Sequence, residues 1–198
     1  MNIERRLESS KEIGAWLFHC LDEIEVPNKE REVIALSLFQ QSFDIADAIV
    51  ILLENKLPGP AFSLARPLHE CFVRATWILN HASDDKVAKF VKGKHPRFPE
   101  MLRDIGDAPE TGGYWITEMT KLNIEAFHDL THGGMEHVIR RMKDDSIEPN
   151  YAVSEIEQLL RVRNQYCING VVYLLQLVGN EKALSELRDK QTEWVDAL

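Results

Sequence analysis

The chain has 198 residues, of which 44% are hydrophobic and 28% charged, an ordinary composition for a globular domain large enough to bury a core. Its formal net charge of −9 argues against broad electrostatic binding to nucleic acid, although a local basic pocket could still hold a phosphate. The three cysteines lie far apart among apolar neighbours, which favours reduced core residues over disulfides or a zinc site.

The N-terminal segment gives the expected location of the protein. Charges are spread through MNIERRLESSKEIGAWLFHC, so the separate basic, apolar and cleavage regions of a signal peptide are absent from it. No apolar run in the sequence approaches the ~18 residues that a membrane span needs. We therefore predict a cytoplasmic protein.

Apolar residues recur with the 3.6-residue period along the chain, and no convincing strand-like alternation occurs. We therefore predict an all-α fold, a single up-and-down bundle of about six to eight helices in which residues 1–198 form one domain. A first helix is predicted over about Asn2–Glu25. A second helix, capped by Asn28, runs to about Lys56.

The third predicted helix contains a proline in its interior. It begins near Pro60, where proline is tolerated because first-turn amides lack partners. Further along, Pro67 removes the hydrogen bond to the Ser63 carbonyl and should kink the helix. Ser83 is predicted to cap a short fourth helix that ends at Gly93.

Residues 94–113 are rich in proline and glycine and are predicted to form a loop with one short helix, which is either a lid or disordered. The fifth helix is predicted from Tyr114 to about Thr131, followed by two glycines and a short basic helix, EHVIRRMK. Capping signals mark two last helices: Ser154 with Glu157 ahead of an apolar helix through Leu177, and Asn180 ahead of the final one.

The third helix should carry a polar row along one edge and an apolar row along the other. The polar row comprises Arg66, Glu70, Arg74, Trp77 and His81, and the apolar row comprises Leu64, Leu68, Cys71, Ala75 and Leu79. Arginine forks suit phosphate or carboxylate, and a glutamate between two arginines would hold their side chains. The alternative is a solvated face on which Arg–Glu pairs contribute about 0.2–0.5 kcal/mol each.

The fifth helix should carry a second row, formed by Glu125, His128 and His132. His132 precedes two glycines, so it either interacts with the helix dipole or faces the arginine row across the bundle. Asn123 falls on the apolar side and, if buried, must hydrogen-bond to a neighbouring helix. The candidate catalytic residues are Arg66, Glu70, Arg74 and His132, and the candidate ligand-binding residues are Trp77, His81, Asn123 and His128.

Metal binding is a further alternative. Glu125-x2-His128 has the spacing found in di-iron helical bundles, and His128-x3-His132 could chelate one ion. A di-iron site needs a second Glu-x2-His pair, and the sequence contains no second copy. We therefore predict no metal and no other cofactor.

Two segments, ARPLHECFVRATWI and LNIEAFHDLTHGG, resemble a family of uncharacterised bacterial helical proteins, a domain of unknown function, over roughly residues 35–145. The most specific matching residues are Arg66-Pro67, Glu70, Arg74, Trp77 and His132-Gly133-Gly134.

A more distant similarity is to the HEPN superfamily, whose motif is an arginine followed a few residues later by a histidine. Arg74 and His81 fit this motif, whereas Arg163-Asn164 begins like it but has Ile168, Asn169 and Gly170 where histidine should stand. The resemblance implies a dimeric, metal-independent ribonuclease of toxin–antitoxin or phage-defence systems.

Two functions are therefore predicted. The first is a phosphate-handling ribonuclease or toxin, with RNA or another phosphate-containing ligand and an antitoxin or defence-system protein as partners. The second is a non-enzymatic, homodimeric helical module whose Arg-Glu-Arg-His cluster is a structural network or an anion-sensing pocket. We expect a homodimer, because the helix that ends at Leu177 is too apolar for one domain to cover. We expect no association with a membrane.

Overall fold

The computed structural model describes residues 3–22, 24–94, 96–107 and 114–195, without the side chains of Leu122 and Asn123. Within these ranges the chain forms ten helices and one short hairpin, which confirms the all-α prediction. In chain order they are α1 Ile3–Leu21, α2 Glu30–Glu54, α3 Pro58–Ser63, α4 Ala65–Asn80, α5 Asp84–Val91, α6 Phe98–Gly106, α7 Tyr114–His132, α8 Met135–Ile139, β1 Met142–Lys143, β2 Ser146–Ile147, α9 Val153–Val178 and α10 Glu181–Glu193.

Helix α4 lies at the centre of the fold. Leu68, Phe72, Val73, Ala75 and Ile78 have no exposed surface, and α4 packs against α2, α6, α7 and α9. The predicted apolar edge of this helix is therefore buried, except for Leu64 and Leu79, which are half-buried. Because α4 is covered on most of its surface, its polar edge can only be reached on the side that faces α6 and α7.

The predicted kink at Pro67 is a complete break between two helices. The chain leaves α3 at Ser63, passes through Leu64 and starts α4 at Ala65, so Pro67 lies in the first turn of α4. A first-turn proline disturbs no intrahelical hydrogen bond, which explains why the break falls just before it. The break lies between Ser63 and Arg66, which belong to two different polar groups described below.

Two of the predicted helix caps are confirmed and two are wrong. The Ser83 hydroxyl accepts a bond from the Lys86 amide, and Asn180 Oδ1 accepts one from the Ala183 amide at 3.1 Å. By contrast, Lys29 and not Asn28 is the N-cap of α2. Helix α9 starts one residue before Ser154, and the Glu155 carboxylate accepts the Ala152 amide at 2.9 Å, which is the role expected of Glu157.

Helix α6 anchors residues 96–107 of the proline-rich segment to the core. Helix α6 packs against α4 and α7, and its Met101 and Ile105 side chains are fully buried. The prediction of one short helix in this segment is thus confirmed. Because Met101 and Ile105 anchor this helix in the core, residues 96–107 do not form a lid. Residues 108–113 lie outside the described part of the chain.

The hairpin after α8 was missed by the sequence analysis. Met142 pairs with Ile147 and Lys143 with Ser146, so each strand is only two residues long. A two-residue strand is too short to show the alternation by which strands are recognised. The basic segment EHVIRRMK therefore consists of four helical residues, a turn at Arg140 and Arg141, and the two residues of β1.

Among the described residues, one helix, α2, has the length and apolar composition to cross a bilayer, as core helices of globular proteins also do. Its buried residues recur every three or four positions and face the core: Ala35, Phe39, Ser42, Phe43, Ala46, Ile49, Val50 and Leu53. This pattern is typical of a helix packed on one side. Cytoplasmic location stays a prediction.

The apolarity of helix α9 is the reason for predicting a homodimer. This helix packs against α1, α2, α4 and α10 of the same chain, and ten of its residues are buried. Val172, Leu174 and Leu177 remain half-buried.

Homodimerisation itself stays a prediction, and it is tested directly by light scattering. We expect the purified protein at micromolar concentration to have twice the 22.8 kDa chain mass. The prediction is contradicted if the measured mass is that of one chain and does not rise when the protein is concentrated tenfold. A tenfold concentration favours association by about 1.4 kcal/mol.

Candidate functional site

The polar edge of α4 is a connected set of ion pairs. Arg66 Nε donates to Glu70 Oε1 and Arg74 Nη2 donates to Glu70 Oε2, each at 2.7 Å. The four-residue spacing places each arginine one turn from the glutamate, so one carboxylate holds both guanidinium groups. The side chains of Arg66, Glu70 and Arg74 are 25%, 19% and 27% exposed, so they form a half-buried surface and not a fully solvated face.

The Glu70 carboxylate is held ionised. Burial alone would raise the pKa of Glu70, but the hydrogen bonds and charges of Arg66 and Arg74 outweigh burial and lower its pKa below the ordinary value. An ionised carboxylate whose two oxygens are occupied is a poor proton acceptor. Glu70 therefore positions the arginines, as predicted, and is not suited to act as a base.

His132 of α7 completes this cluster across the helix interface. Its Nε2 atom lies 3.2 Å from Arg66 Nη1. A guanidinium can only donate, so Nε2 is the acceptor in this contact. Helix α7 ends at His132 because Gly133 follows with a φ of +70°, which favours glycine. The structure thus brings together the four residues Arg66, Glu70, Arg74 and His132, as the sequence predicted.

His128 extends the cluster towards an acidic surface. The rings of His128 and His132 are 4.6 Å apart, and both side chains are exposed. His128 also lines an open depression together with three carboxylates: Glu125, Asp129 and Glu136. The described residues contain no group of three or more His, Cys, Asp or Glu side chains placed to hold a metal ion.

The prediction that Trp77 lies on the polar edge is wrong. Its side chain is fully buried, and its indole nitrogen donates to Asp104 Oδ2 at 2.7 Å. Lys86 Nζ donates to the same oxygen at 2.5 Å. Burial raises the pKa of Asp104, but these two bonds outweigh it and the pKa falls below the ordinary value. The indole ring is therefore part of the core and is not placed to bind a ligand.

The two remaining ligand-binding candidates are not part of the described cluster. His81 follows the last residue of α4, half-buried, where its charge contributes to the lowered pKa of Asp104. It is two turns beyond Arg74 and lies towards Asp104, away from His132. The Asn123 side chain lies outside the described residues.

Arg163-Asn164, which begins like the HEPN motif, is a core structural element. The Arg163 side chain is 1% exposed and donates to Ala46 O, Ser10 O, Asn164 Oδ1 and Asp47 Oδ1. The guanidinium therefore joins α1, α2 and α9 and has no access to the arginine row of α4.

A second hydrogen-bonded group of side chains, which the sequence analysis did not identify, lies beside Ser63. Ser63 Oγ is 2.9 Å from His137 Nε2, and His137 Nδ1 is 3.1 Å from the Tyr151 hydroxyl. These three side chains are half-buried and come from α3, α8 and the residue preceding the N-cap of α9. No spacing signal could have found them, because the residues are 74 and 14 positions apart.

A third polar group, around His69, is buried and structural. Thr120 Oγ1 donates to Ile116 O at 2.8 Å, so it must accept from His69 Nε2 at 2.9 Å. The Tyr166 hydroxyl then donates to His69 Nδ1 at 2.6 Å. Burial, slightly opposed by the charge of Glu70, lowers the pKa of His69 to about 4. This neutral histidine links α4, α7 and α9.

Comparison with known families agrees with the resemblance seen in the sequence. The profile of a family of unknown function, DUF6988, matches residues 39–198. The chain belongs to DUF6988. The DUF6988 match includes α3, α4, α7, α8 and α9, so it contains all three polar groups described above. It also extends beyond the segment that carried the resemblance. No curated protein and no solved structure matches the chain significantly.

Proposed function

We propose that this DUF6988 protein binds a phosphate-bearing ligand at Arg66, Arg74 and His132 and cleaves ribonucleotide phosphodiester bonds without a metal. The contact between Arg66 Nη1 and His132 Nε2 carries the proposal, because it places an imidazole nitrogen next to a guanidinium. A base and an anion-binding group side by side are the two parts that such a reaction needs.

The chemistry follows from these atoms. When a phosphodiester binds, Arg66 Nη1 leaves His132 Nε2 and donates to a phosphate oxygen, and Arg74 donates its remaining N–H groups to the same phosphate. Glu70 keeps holding both guanidinium groups, each one turn away along α4. His132 Nε2 then takes the proton of the ribose 2′-hydroxyl, and the 2′-oxygen attacks phosphorus. The 5′-oxygen leaves and takes a proton from water, which gives a 2′,3′-cyclic phosphate and a 5′-hydroxyl.

The charge around the site supports short ligands. The depression beside His128 is lined by three carboxylates, those of Glu125, Asp129 and Glu136. The whole chain also carries a formal charge of −9. A long polyanion would meet repulsion on this side, whereas a single-stranded loop or a short oligonucleotide would not. As the resemblance to HEPN proteins implies, the activity would serve a toxin or phage-defence system and be restrained by an antitoxin partner.

The proposal is tested with purified protein and a short single-stranded RNA. We expect the His132→Ala and Arg74→Ala variants to lose cleavage by about 100-fold or more, since positioned acid–base groups contribute about 10²–10⁴. Chelator should leave the wild-type rate unchanged. Expression in a bacterium should slow growth with the wild-type chain and not with either variant.

Two matched variants control this experiment. His19→Ala and Arg188→Ala remove the same groups from exposed positions of α1 and α10 and should cleave at the wild-type rate. If the wild-type chain cleaves no RNA, or if folded His132→Ala retains full activity, the proposed ribonuclease is wrong.

A second candidate function is favoured by the way Glu70 is used. Both its oxygens are occupied by arginines, and the row joins three helices: Arg66 contacts α7, and the Arg74 guanidinium lies 6.0 Å from the Phe98 ring of α6. In this case the cluster is the structural network of a non-enzymatic module. The Arg74→Ala variant would then unfold at lower denaturant, and phosphate would not raise the stability of the wild-type chain.

A further inference from the structure

We propose that Ser63 is a nucleophile, activated by His137, that takes the acyl group of small activated esters with an apolar acyl chain. This activity is separate from the phosphate chemistry proposed for His132 and uses different side chains. The starting observation is the chain of contacts from Ser63 Oγ to His137 Nε2 at 2.9 Å and from His137 Nδ1 to the Tyr151 hydroxyl at 3.1 Å. A hydroxyl, a base and a group that orients the base are the parts of an activated nucleophile.

The three side chains are held in place by the surrounding structure. The Tyr151 ring stacks on Phe62 with centroids 5.1 Å apart, and Thr131 Oγ1 donates to the Ser63 carbonyl at 3.4 Å. Ser63 ends α3 just before the break at Leu64, so its hydroxyl stands at the end of a short helix and not within a long one. The nucleophile is therefore fixed by contacts from α7, α8 and the start of α9.

Because Gly59 has no side chain, the Arg141 guanidinium has room beside it and close to Tyr151. A Cβ atom at this position would lie 2.7 Å from Arg141 Nη2 and 3.2 Å from the Tyr151 hydroxyl. Any side chain there would displace Arg141, because 2.7 Å is closer than non-bonded carbon and nitrogen atoms approach. Arg141 thus lies against the backbone one turn before Ser63, where it can stabilise negative charge on an ester oxygen.

The proton of Ser63 decides whether the hydroxyl is activated. It has two acceptors within reach, the Gly59 carbonyl at 3.1 Å and His137 Nε2 at 2.9 Å. When His137 carries its proton on Nδ1 and donates it to Tyr151, the Nε2 lone pair faces Ser63. Ser37 provides a comparison within the same chain, since its hydroxyl donates to Val33 O at 2.8 Å and has no imidazole contact among the described residues.

The groove beside His137 indicates the kind of substrate. His137 and Arg141 line it together with three apolar side chains, Val138, Met142 and Ile147, which are 43%, 61% and 90% exposed. The polar residues Lys143, Asp144, Asp145 and Ser146 complete the lining. Apolar side chains left this open can cover an alkyl chain, while Arg141 and His137 stay close to the polar end of the ligand. An ester with a short alkyl acyl group combines such an apolar chain with a polar carbonyl end.

The reaction has two balanced steps. Ser63 Oγ bonds to the ester carbonyl carbon, its proton passes to His137 Nε2, and the bond from that carbon to the alcohol oxygen breaks, with His137 protonating the departing alcohol. Water then attacks the acyl-serine, His137 again takes the proton, and the carboxylic acid is released with Ser63 regenerated.

The test uses a phosphonyl fluoride, which reports on the nucleophile without requiring turnover. Ser63 Oγ displaces fluoride from phosphorus and its proton leaves through His137 as HF forms. We expect one covalent adduct per chain, located on Ser63 by mass spectrometry of peptides. The His137→Gln variant should form it at least about 100-fold more slowly.

Three variants make the result specific. Tyr151→Phe should slow labelling because the imidazole loses the group that orients it, whereas Ser37→Ala and His19→Ala should label at the wild-type rate. Hydrolysis of p-nitrophenyl butyrate should fall with labelling in the same variants. The proposal is overturned if the adduct does not form, if it forms on other serines as fast as on Ser63, or if folded His137→Gln labels at the wild-type rate.

Discussion

Replacing Arg163 with methionine is expected to destabilise the fold by about 3–5 kcal/mol, since each buried acceptor that loses its hydrogen bond costs about 1–3 kcal/mol. The guanidinium is 1% exposed and satisfies acceptors on three helices: Ser10 O on α1, Ala46 O and Asp47 Oδ1 on α2, and Asn164 Oδ1 on α9. Methionine fills much of the volume but donates no hydrogen bond. Two buried carbonyl oxygens and an amide oxygen would each lose the hydrogen bond that Arg163 donates to them.

The structure also explains why this site accepts so large a side chain. A Cβ atom on Gly14 would already lie 3.0 Å from Arg163 Nη2, so α1 approaches the guanidinium as closely as glycine allows. The Asp47 carboxylate, 41% exposed, can return to water and should cost little when it loses its partner. Most of the lost stability is therefore assigned to the carbonyl groups of Ser10 and Ala46.

Urea unfolding followed by tryptophan fluorescence measures this effect. The matched control is Arg161→Met, because Arg161 is exposed on the same helix two residues earlier. We expect that control to stay within about 0.5 kcal/mol of the wild-type chain. Equal midpoints for the two variants would show that the network around Arg163 is not what holds α1 in place.

Lowering the pH from 7 towards 4 is expected to reduce the free energy of unfolding by about 3 kcal/mol through His69 alone, since one pKa unit corresponds to about 1.4 kcal/mol. In the folded chain the pKa of His69 is about 4, against 6.5 for the ordinary side chain. Between these values the unfolded chain binds a proton that the folded chain does not. This contribution is therefore complete above pH 6.5 and is lost as the pH falls towards 4.

The geometry around His69 explains the direction. Burial removes the ring from water, and both ring nitrogens are already used, Nε2 as donor to Thr120 and Nδ1 as acceptor from Tyr166. A second ring proton would displace the Tyr166 hydroxyl hydrogen from Nδ1. The charged form is therefore disfavoured by desolvation and by the loss of this bond.

The comparison of the wild-type chain with His69→Gln isolates this residue. Glutamine can donate to Thr120 and accept from Tyr166, but it does not titrate. Unfolding free energies of both chains should be measured between pH 5 and 7, where carboxylates contribute little. We expect the difference between the chains to change by about 2 kcal/mol over this range. A difference that is independent of pH would mean that His69 is not held neutral.

The helices were predictable because they depend on local signals. The 3.6-residue apolar period locates α1, α2, α7 and α9 to within a few residues, and the chemistry of Ser83 and Asn180 marks two helix starts. The errors at Asn28 and Ser154 arise because the N-caps are Lys29 and Ala152, whose side chains make no capping hydrogen bond, so no N-cap side chain marks these helix starts. The hairpin of β1 and β2 was missed because it is too short to show a period.

The site was predictable only in part. Spacing alone placed Arg66, Glu70 and Arg74 on one edge, since a helix brings every fourth residue to the same side. It also placed Trp77 there, and this was wrong because the edge of α4 passes beneath α6, where Asp104 accepts the indole N–H. Whether a side chain on one edge of a helix is exposed depends on which neighbouring helix packs over it. The spacing of residues along that edge carries no information about the neighbour.

The amino-acid sequence thus determined the helical class, the order of most helices and the composition of each polar edge, because these follow from interactions within one or two turns. The tertiary structure decided which side chains meet: His132 with Arg66, His137 with Ser63, and Arg163 with the carbonyl groups of α1 and α2. These contacts join residues 66, 74, 117 and 153 positions apart. Their formation depends on how the whole core packs, so no local pattern can specify them.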